Sequence, residues 1–348
     1  MNGPTKLLGT GMAVFIDIAI FGVLSAGCNH PVVQAGSVKI TPGNGQVQSL
    51  LFLTMDVSPD GKTIVFSGTR GGGTHLYLLN LTANKVTQLT QTTASDGYPA
   101  FSPDGKTIVY QSSDSPSASR HLFLISINGG SARQLTNAPA TSDESPHFSP
   151  NGEKITFSRA AQFHAKSALQ STSNGIDVWV VNRNGTQPVQ VTHLKSDGMM
   201  RPRFYPDNRH VIFEKTTITD SPVSGSGVKM SLATADTAGK EPIRETVSFS
   251  GSDFSPCFYP NGKQIVFGGN FGGTLDLYRV TLPGGKPAAI LPARRDTGFC
   301  NPVVTSDGKS IYCLERYTPD LYKMNIDGSN LHKIADSSLF SNPMHWKP

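Results

Sequence analysis

"FSPDGKTIVY", residues 101–110, and its near copy "VSPDGKTIVF", residues 57–66, encode one local structure twice in the same chain. The Ser-Pro-Asp-Gly core is typical of a tight turn, because Pro fixes φ at the second turn position and Gly accepts the positive φ that closes the turn. The residues that follow the turn point alternately outward and inward, which indicates a strand with one buried face. Each copy therefore predicts the end of one strand, a hairpin turn and the start of the next strand.

The motif recurs along the chain at a nearly constant spacing. Looser copies begin at Phe148, Phe204, Phe258 and Val304, and a truncated copy, "WKP", begins at Trp346. The turn Pro or its equivalent lies at positions 59, 103, 150, 206, 260, 306 and 348, so the steps are 44, 47, 56, 54, 46 and 42 residues. After each hairpin comes an apolar and aromatic run, such as "HLFLISIN" (121–128), and in the regular units a short final strand, such as "ARQLT" (132–136). Units of this length with four strands are the signature of propeller blades, and the chain is predicted to be an all-β β-propeller with four-stranded antiparallel blades.

The number of blades depends on the two ends of the chain. Six full copies of the hairpin unit favour six blades. Residues 37–53 contain at most two strands, and "MHWKP" (344–348) supplies one more. Because an unpaired sheet edge invites aggregation, the two ends could also share a blade. Seven blades, the last split between the termini, is therefore the alternative.

The repeat also resembles a known family. "YPAFSPDGKTIVYQS" (98–112), followed by "HLFLISINGGSARQLT" (121–136), resembles the TolB-like repeat, which is WD-like, and the resemblance extends over roughly residues 55–348. It implies a propeller that serves as a protein-binding scaffold in the bacterial cell envelope. Related propellers include oligogalacturonate lyases, which bind a metal through several histidines. The alternative function is therefore a carbohydrate-active or metal-dependent lyase that acts in the central channel.

The N-terminal residues indicate export. Residues 1–27 contain one basic residue, Lys6, then an apolar run and then small residues, which is the pattern of a signal peptide. The ending "LSAGC" (24–28) resembles the bacterial lipobox and predicts a lipid on Cys28. Residues 28–36 would then form a tether, and residues 37–348 a single propeller domain. Asn29 favours the outer membrane by the same resemblance, on the periplasmic or cell-surface side. A plain secretory signal and a secreted protein are the alternative.

Composition limits the partners. Charged residues make up 16% of the chain, and the formal charge of +5 is spread along it. No run of Lys and Arg is present of the kind that nucleic-acid binding requires, so no nucleic-acid partner is predicted. We expect a monomer that binds an envelope protein or peptide segment, that contacts the membrane only through its lipid and that needs no cofactor. No G-x-S-x-G nucleophile motif occurs, so no catalytic residue is predicted.

Candidate binding residues follow from the geometry of a ring, in which equivalent positions lie on one circle. The position between Pro and the aromatic residue of the inner strand faces the channel in each blade. It is occupied by Asp56, Ala100, His147, Arg203, Cys257, Val303 and, in the last copy, His345. His147, Arg203 and His345 break the repeat and are predicted to form a polar patch in the channel. No three histidines converge, so no metal site is predicted.

An acidic residue also recurs just before each inner strand. The series comprises Asp96, Asp143, Asp197, Asp253 and Asp296. Two interpretations remain open. The carboxylates form a ring at the channel mouth that binds a cation or a basic partner segment, or each Asp caps its own loop by accepting backbone N–H groups.

Two further features carry predictions. Cys300 and Cys313 flank the last full hairpin on adjacent strands, so a disulfide and two buried free thiols are both compatible with the sequence, and Cys257 lies one unit earlier. Residues 160–174 and 216–227 expand two successive units and are predicted to be long loops between the second and third strands. Such insertions often carry the individual function of a repeat protein, although neutral drift in a tolerant loop is the alternative.

Overall fold

The structure, a computed structural model, describes residues 54–70, 73–114, 118–167, 170–196, 200–221, 225–249, 255–270, 275–291, 298–316, 318 and 320–336. Over these residues the chain is all-β and forms six four-stranded antiparallel sheets, so the prediction of a six-bladed propeller is confirmed. Residues 37–53 and 344–348, on which the seven-bladed alternative depends, lie outside the described residues, as does the segment that ends at Cys28. Within the described part, no helix has the length and apolar character of a membrane span.

Each blade is built from four strands that are consecutive in the sequence and adjacent in the sheet. Blade 1 contains β1 (Thr54–Val57), β2 (Thr63–Arg70), β3 (Gly73–Asn80) and β4 (Lys85–Gln88). Blade 2 contains β5 (Ser95–Phe101), β6 (Thr107–Ser113), β7 (His121–Ser126) and β8 (Arg133–Gln134). Blade 3 contains β9 (Ser142–Phe148), β10 (Lys154–Ser167), β11 (Gln170–Asn182) and β12 (Val189–Gln190).

The second half of the ring repeats this order. Blade 4 contains β13 (Arg203–Phe204), β14 (His210–Ser221), β15 (Gly225–Asp236) and β16 (Arg244–Phe249). Blade 5 contains β17 (Cys257–Phe258), β18 (Gln264–Asn270), β19 (Leu275–Thr281) and β20 (Ala288–Ala289). Blade 6 contains β21 (Phe299–Val304), β22 (Ser310–Glu315), β23 (Leu321–Asn325) and β24 (His332–Ala335).

The repeated turn is held by its own side chains. Ser58 Oγ donates to Asp60 Oδ1 at 2.6 Å, and the backbone N–H of Lys62 donates to the same oxygen at 3.1 Å. Gly61 takes a φ of 70°, which favours glycine, and the same bonds recur in the turn that begins at Ser102. Since these contacts lie within six residues, the turn forms wherever the motif occurs.

A second repeated feature bends each inner strand. The residue before its Pro has positive φ in five blades, a conformation that is uncommon for residues other than glycine. These residues are Tyr98 (50°), Ser145 (53°), Arg201 (35°), Ser255 (32°) and Asn301 (49°). We call this feature the pre-proline bulge, and in blades 2, 3 and 6 the strand pairing changes register at it.

The pre-proline bulge joins neighbouring blades. Its backbone N–H donates to a side chain of the preceding blade in three cases: Tyr98 N to Thr54 Oγ1 at 3.0 Å, Ser145 N to Gln111 Oε1 at 2.9 Å, and Ser255 N to Glu214 Oε1 at 2.8 Å. A backbone donor that its own sheet cannot use is thereby satisfied. The bulge therefore sets the distance and angle between successive blades.

The apolar core lies between the blades, and it closes the ring. Six clusters of buried side chains each join two neighbouring blades. One of them packs Phe66 and Tyr77 of blade 1 against Tyr312 and Leu314 of blade 6. Ser306 Oγ of blade 6 also donates to the carbonyl of Pro59 in blade 1. Within the described residues, closure therefore rests on packing between two complete blades.

The cysteines near the last hairpin are free thiols, so the disulfide alternative is not what the structure contains. Cys300 lies opposite Leu314 and packs with it against the cluster shared by blades 6 and 1. Cys313 precedes Leu314 and therefore points to the other face of the sheet, into the cluster shared by blades 5 and 6. Burial raises the pKa of the Cys313 thiol well above its usual value.

The two expansions are strands, so the prediction of long loops was wrong. In blade 3, β10 and β11 pair from Lys154 with Asn182 out to Ser167 with Gln170. In blade 4, β14 and β15 pair from His210 with Asp236 out to Ser221 with Gly225. We call these two structures the long hairpins. They were missed because their outer parts are rich in Ser and Thr and lack the apolar alternation that identifies a strand.

The long hairpins project from neighbouring blades beyond the inner strands. β9 begins at Ser142, opposite Ala160, and β10 continues for seven residues to Ser167. At about 3.3 Å per residue this extension is roughly 23 Å long. In blade 4, the bond from Glu214 N to Met200 O marks the start of the inner segment, and β14 continues to Ser221. Both long hairpins therefore extend on the face of the ring where the inner strands begin.

Candidate channel site

The inner strands share one equivalent position, which follows a Pro in blades 2 to 6 and follows Met55 in blade 1. Four of the residues at this position are polar and come from four blades: Asp56, His147, Arg203 and Cys257. The charge of Arg203 lowers the pKa of all three of the others, so each of them lies near Arg203. We call them the channel cluster. Ala100 of blade 2 and Val303 of blade 6 occupy the same position and complete the circle with apolar side chains.

The channel cluster is desolvated although its members remain partly accessible to solvent. Burial raises the pKa of Asp56 to about 6, against the opposing effect of two backbone hydrogen bonds and of Arg203. Burial and Arg203 together lower the pKa of His147 to about 3, and burial raises the pKa of the Cys257 thiol to about 11. At neutral pH, His147 and Cys257 are therefore uncharged, and Asp56 is close enough to its pKa to take up a proton in mild acid.

Three members of the channel cluster are bonded to the backbone. Asp56 Oδ2 accepts from the N–H of Phe101 in the next blade at 2.7 Å, and its Oδ1 accepts from its neighbour Val57 at 2.9 Å. Cys257 Sγ accepts from the N–H of Val304 in the next blade at 3.3 Å. His147 Nδ1 lies 2.9 Å from the carbonyl of Phe148 and donates to it. Asp56 and Cys257 therefore also connect successive blades.

Arg203 differs from the other three. Its Nη1 donates to the carbonyl of Pro202 at 3.1 Å, and desolvation lowers the pKa of its guanidinium. Among the described residues, no carboxylate lies within 4 Å of it. The buried Arg159 instead binds Asp143 through two bonds of 2.6 and 2.8 Å, and Arg120 binds Glu144 at 3.0 Å. Arg203 thus leaves most of its five N–H donors uncommitted within the described structure.

The recurrent aspartates occupy other environments than the sequence suggested. Asp143 is fully buried and paired with Arg159, directly opposite on β10. Asp96 is buried, accepts from Ser112 Oγ at 2.6 Å on β6, and has its other oxygen 4.0 Å from His75 Nδ1 of blade 1. Neither carboxylate lies open to the channel or caps a loop, because each contacts the side chain opposite it in the sheet. Asp197, Asp253, Asp296 and His345 lie outside the described residues.

Sequence reasoning identified His147 and Arg203 as candidates but not Asp56 and Cys257. The signal for the latter pair was their place in the repeat, two residues before the Ser-Pro or Tyr-Pro of the turn, which they share with His147 and Arg203. Within the described part of the chain, no group of three or more His, Cys, Asp or Glu side chains is arranged to hold a metal ion. The site is therefore a charged guanidinium in a polar channel, with a titratable carboxyl near it.

The long hairpins and the two most polar inner strands belong to the same blades. His147 lies on β9 of blade 3 and Arg203 on β13 of blade 4, and these blades carry the two extensions. Because the inner strands line the axis, the face on which they begin is a mouth of the channel. The long hairpins therefore flank one side of this mouth.

Comparison with known proteins agrees with the fold. A family model described as TolB beta propeller domain matches residues 53–175. The Tol-Pal system protein TolB of Francisella tularensis subsp. mediasiatica is 26% identical over 213 residues, which is 60% of this chain and 43% of that protein. The chain spans less than half the length of the first curated relatives that it matches.

Solved structures show the same architecture. The putative TolB from Agrobacterium tumefaciens superposes with a TM-score of 0.56 at 17% identity, over 74% of this chain and 87% of that chain. Oligogalacturonate lyase in complex with manganese gives a TM-score of 0.55 at 15% identity, over 84% of this chain and 78% of that chain. At these identities the likeness concerns the fold alone.

Replacement of two arginines should separate the roles of paired and unpaired guanidinium groups. Arg159→Met leaves the buried Asp143 without a partner and should lower the free energy of unfolding by about 3–5 kcal/mol. Arg203→Met removes a desolvated charge that has no carboxylate in contact, and should change the same quantity by less than about 1 kcal/mol. Urea unfolding of both variants measures the difference. A loss at position 203 as large as that at 159 would contradict the assignment.

The raised pKa of Asp56 predicts a pH dependence of stability. Its pKa of about 6 in the folded protein exceeds the ordinary 3.8, so the folded state holds the proton more tightly than the unfolded state. The contribution of Asp56 should therefore fall as the pH rises from about 4 to about 6 and stay constant above that. Relative to Asp56→Asn, the free energy of unfolding of the wild type should fall by about 1–2 kcal/mol between pH 4 and pH 6, a value reduced because solvent screens the partly exposed carboxyl. Thermal midpoints of both proteins from pH 4 to pH 8 measure it, and a constant difference would disprove it.

Proposed function

We propose that the chain, a TolB-like β-propeller repeat protein, is a binding scaffold that holds a protein or peptide segment of the bacterial cell envelope at its channel mouth. The observation that carries the proposal is the coincidence of two features on blades 3 and 4. These blades supply His147 and Arg203 to the channel, and they alone among the described blades extend their central hairpin well beyond the inner strand. Such a ring offers a partner two binding surfaces: the polar channel, and the strand edges of the long hairpins.

The edges of the long hairpins suit an extended peptide. Among the described residues, β9 pairs with β10 only as far as Ala160, and β16 pairs with β15 only as far as Met230. Outward from these positions, the described backbone of each hairpin pairs only within the hairpin. Unpaired strand edges bind extended segments by adding a strand, and backbone hydrogen bonds then supply affinity. The partner class that fits is a polypeptide in extended conformation.

Replacement of the hairpin tips should remove this binding and leave the propeller intact. Residues 163–173 can be replaced by Asn-Gly between the paired residues Gln162 and Asn174, and residues 218–228 likewise between Thr217 and Lys229. Affinity capture from an envelope extract should recover a specific protein with the wild type and lose most of it with either variant.

The matched control for this capture is Arg133→Gln, which changes an exposed residue of blade 2. It should capture as much as the wild type. Thermal unfolding shows whether the hairpin variants keep their fold. Equal capture by the wild type and by well-folded hairpin variants would exclude the long hairpins as the binding surface.

The alternative function is a propeller-type carbohydrate-active or metal-dependent lyase that acts in the channel. Its support is the resemblance of the repeat to lyase relatives. The described channel cluster offers Asp56 and His147 as oxygen and nitrogen donors, and both are already bonded to the backbone. Turnover of an oligogalacturonide that depends on added manganese and disappears in His147→Ala would favour the lyase over the scaffold.

The proposed location is the periplasmic or cell-surface side of the envelope, with the protein anchored through a lipid on Cys28, the outer membrane favoured, and a secreted protein as the alternative. The support is the signal-like segment of residues 1–27 and the "LSAGC" sequence. In this arrangement, residues 28–36 tether a monomeric propeller to the membrane surface.

Lipid attachment can be tested directly. Expression of the full chain in a bacterial host with an alkyne analogue of palmitate should label the wild type and not Cys28→Ala, because acylation requires the thiol of that residue. Cys257→Ala, which changes a channel thiol, should keep the label. An unlabelled wild type in the culture medium would support the secreted alternative instead.

A further inference from the structure

Among the described residues, the arginine of the channel cluster makes no hydrogen bond that joins two strands. The other polar members connect strands: Asp56 and Cys257 bond to the next blade, and His147 bonds to the adjacent carbonyl. In the part of the chain that the structure describes, Arg203 makes one hydrogen bond, to the carbonyl of Pro202 beside it in the sequence. A guanidinium that loses water without an anion in contact lowers stability. The fold therefore retains a charge at its axis that works against it.

The described neighbours of Arg203 leave most of the N–H donors of its planar guanidinium available. The charges that act on it belong to Asp56, Cys257, Glu214 and Arg201, and the neutral His147 also lies nearby. Glu214 is buried, lies 3.4 Å from Arg201 and also accepts from Ser255 N, so it is committed within blade 4. Asp56 lies beyond 4 Å, and both of its oxygens accept backbone N–H groups.

We propose that Arg203 is a receptor in the channel for a carboxylate, supplied by an acidic side chain or the C-terminus of a polypeptide that enters at the mouth between the long hairpins. This inference rests on the proposed function and names the chemistry that the channel recognises. A guanidinium presents parallel N–H donors that match the two oxygens of a carboxylate. Within the described residues, the channel holds a guanidinium that no carboxylate contacts, together with an acidic neighbour, so it suits a singly charged anion better than a phosphate dianion.

The acidic neighbour predicts how binding depends on pH. A carboxylate bound to Arg203 is repelled by ionised Asp56 and not by its protonated form. Asp56 has a pKa of about 6, whereas His147, with a pKa of about 3, stays neutral from pH 5 upward. The Arg201 and Glu214 charges offset each other. Binding should therefore weaken as the pH rises through about 6, and Asp56→Asn should remove this dependence.

The test is a titration of the full propeller followed by the ¹⁵Nε resonance of Arg203. The probes are acetyl-Gly-Gly-Asp-amide, its Asn counterpart and sodium acetate. The Asp peptide should shift the Arg203 resonance in a saturable way, and the Asn peptide should not shift it. The dissociation constant of the Asp peptide should be lower at pH 5 than at pH 7.5. For Arg203→Lys and Arg203→Gln, binding followed by calorimetry should weaken by at least about tenfold, because a charge-assisted bidentate contact is lost. Arg133→Gln is the control outside the channel.

Each outcome decides one part of the proposal. No saturable shift with any probe overturns the carboxylate site. Acetate that binds as tightly as the Asp peptide assigns the site to a free carboxylate and overturns the polypeptide source. Loss of envelope-protein capture in the hairpin variants, with no peptide binding at Arg203, overturns this inference and leaves the scaffold in place. Peptide binding at Arg203 together with unchanged capture by the hairpin variants supports the carboxylate site and overturns the long hairpins as the binding surface.

Discussion

The pre-proline bulge is the constraint on which the ring and its channel both depend. In five blades the residue before the Pro of the inner strand takes positive φ, which bends the strand at that point. The bend turns one backbone N–H toward the preceding blade and aims the residue after Pro at the axis. The same local bend thus connects a blade to the preceding one in three places.

The fold was predictable because its repeated parts are local. The turn that begins at Ser58 is closed by bonds within six residues, so the motif specifies it in every unit. Two features depended on distant partners: the long hairpins were missed, and the state of the cysteines was left open between two alternatives. The long hairpins are stabilised by pairing between Ser- and Thr-rich segments that show no apolar period. The choice between a disulfide and free thiols remained open because the sequence did not reveal the bulge between Cys300 and Val303. This bulge places Cys300 opposite Leu314, so that Cys300 and Cys313 point to different faces of the sheet.

The positions that line the channel could be predicted from the sequence, but the contacts of the charged side chains there could not. The equivalent position of the inner strand points to the axis in every copy, and this follows from the repeat itself. That Asp143 would be neutralised by Arg159 did not follow, because the two lie on different strands and their pairing depends on register. The contact of Asp56 could not be predicted either, because the N–H group that donates to its carboxylate belongs to Phe101 in the next blade.

Two arginines of this chain show how a structural charge differs from a functional one. Arg159 is buried, bonds both oxygens of Asp143, and lies over the rings of Phe157 and Trp179, so every part of its side chain contributes to packing. Arg203 is desolvated as well, yet within the described structure it bonds only to the carbonyl beside it. Folding alone would favour an apolar residue at this position, such as the Ala100 and Val303 that occupy it in blades 2 and 6. Within the described structure, Arg203 is therefore a charge that packing and pairing do not use, and this contrast with Arg159 is what supports the proposed carboxylate site.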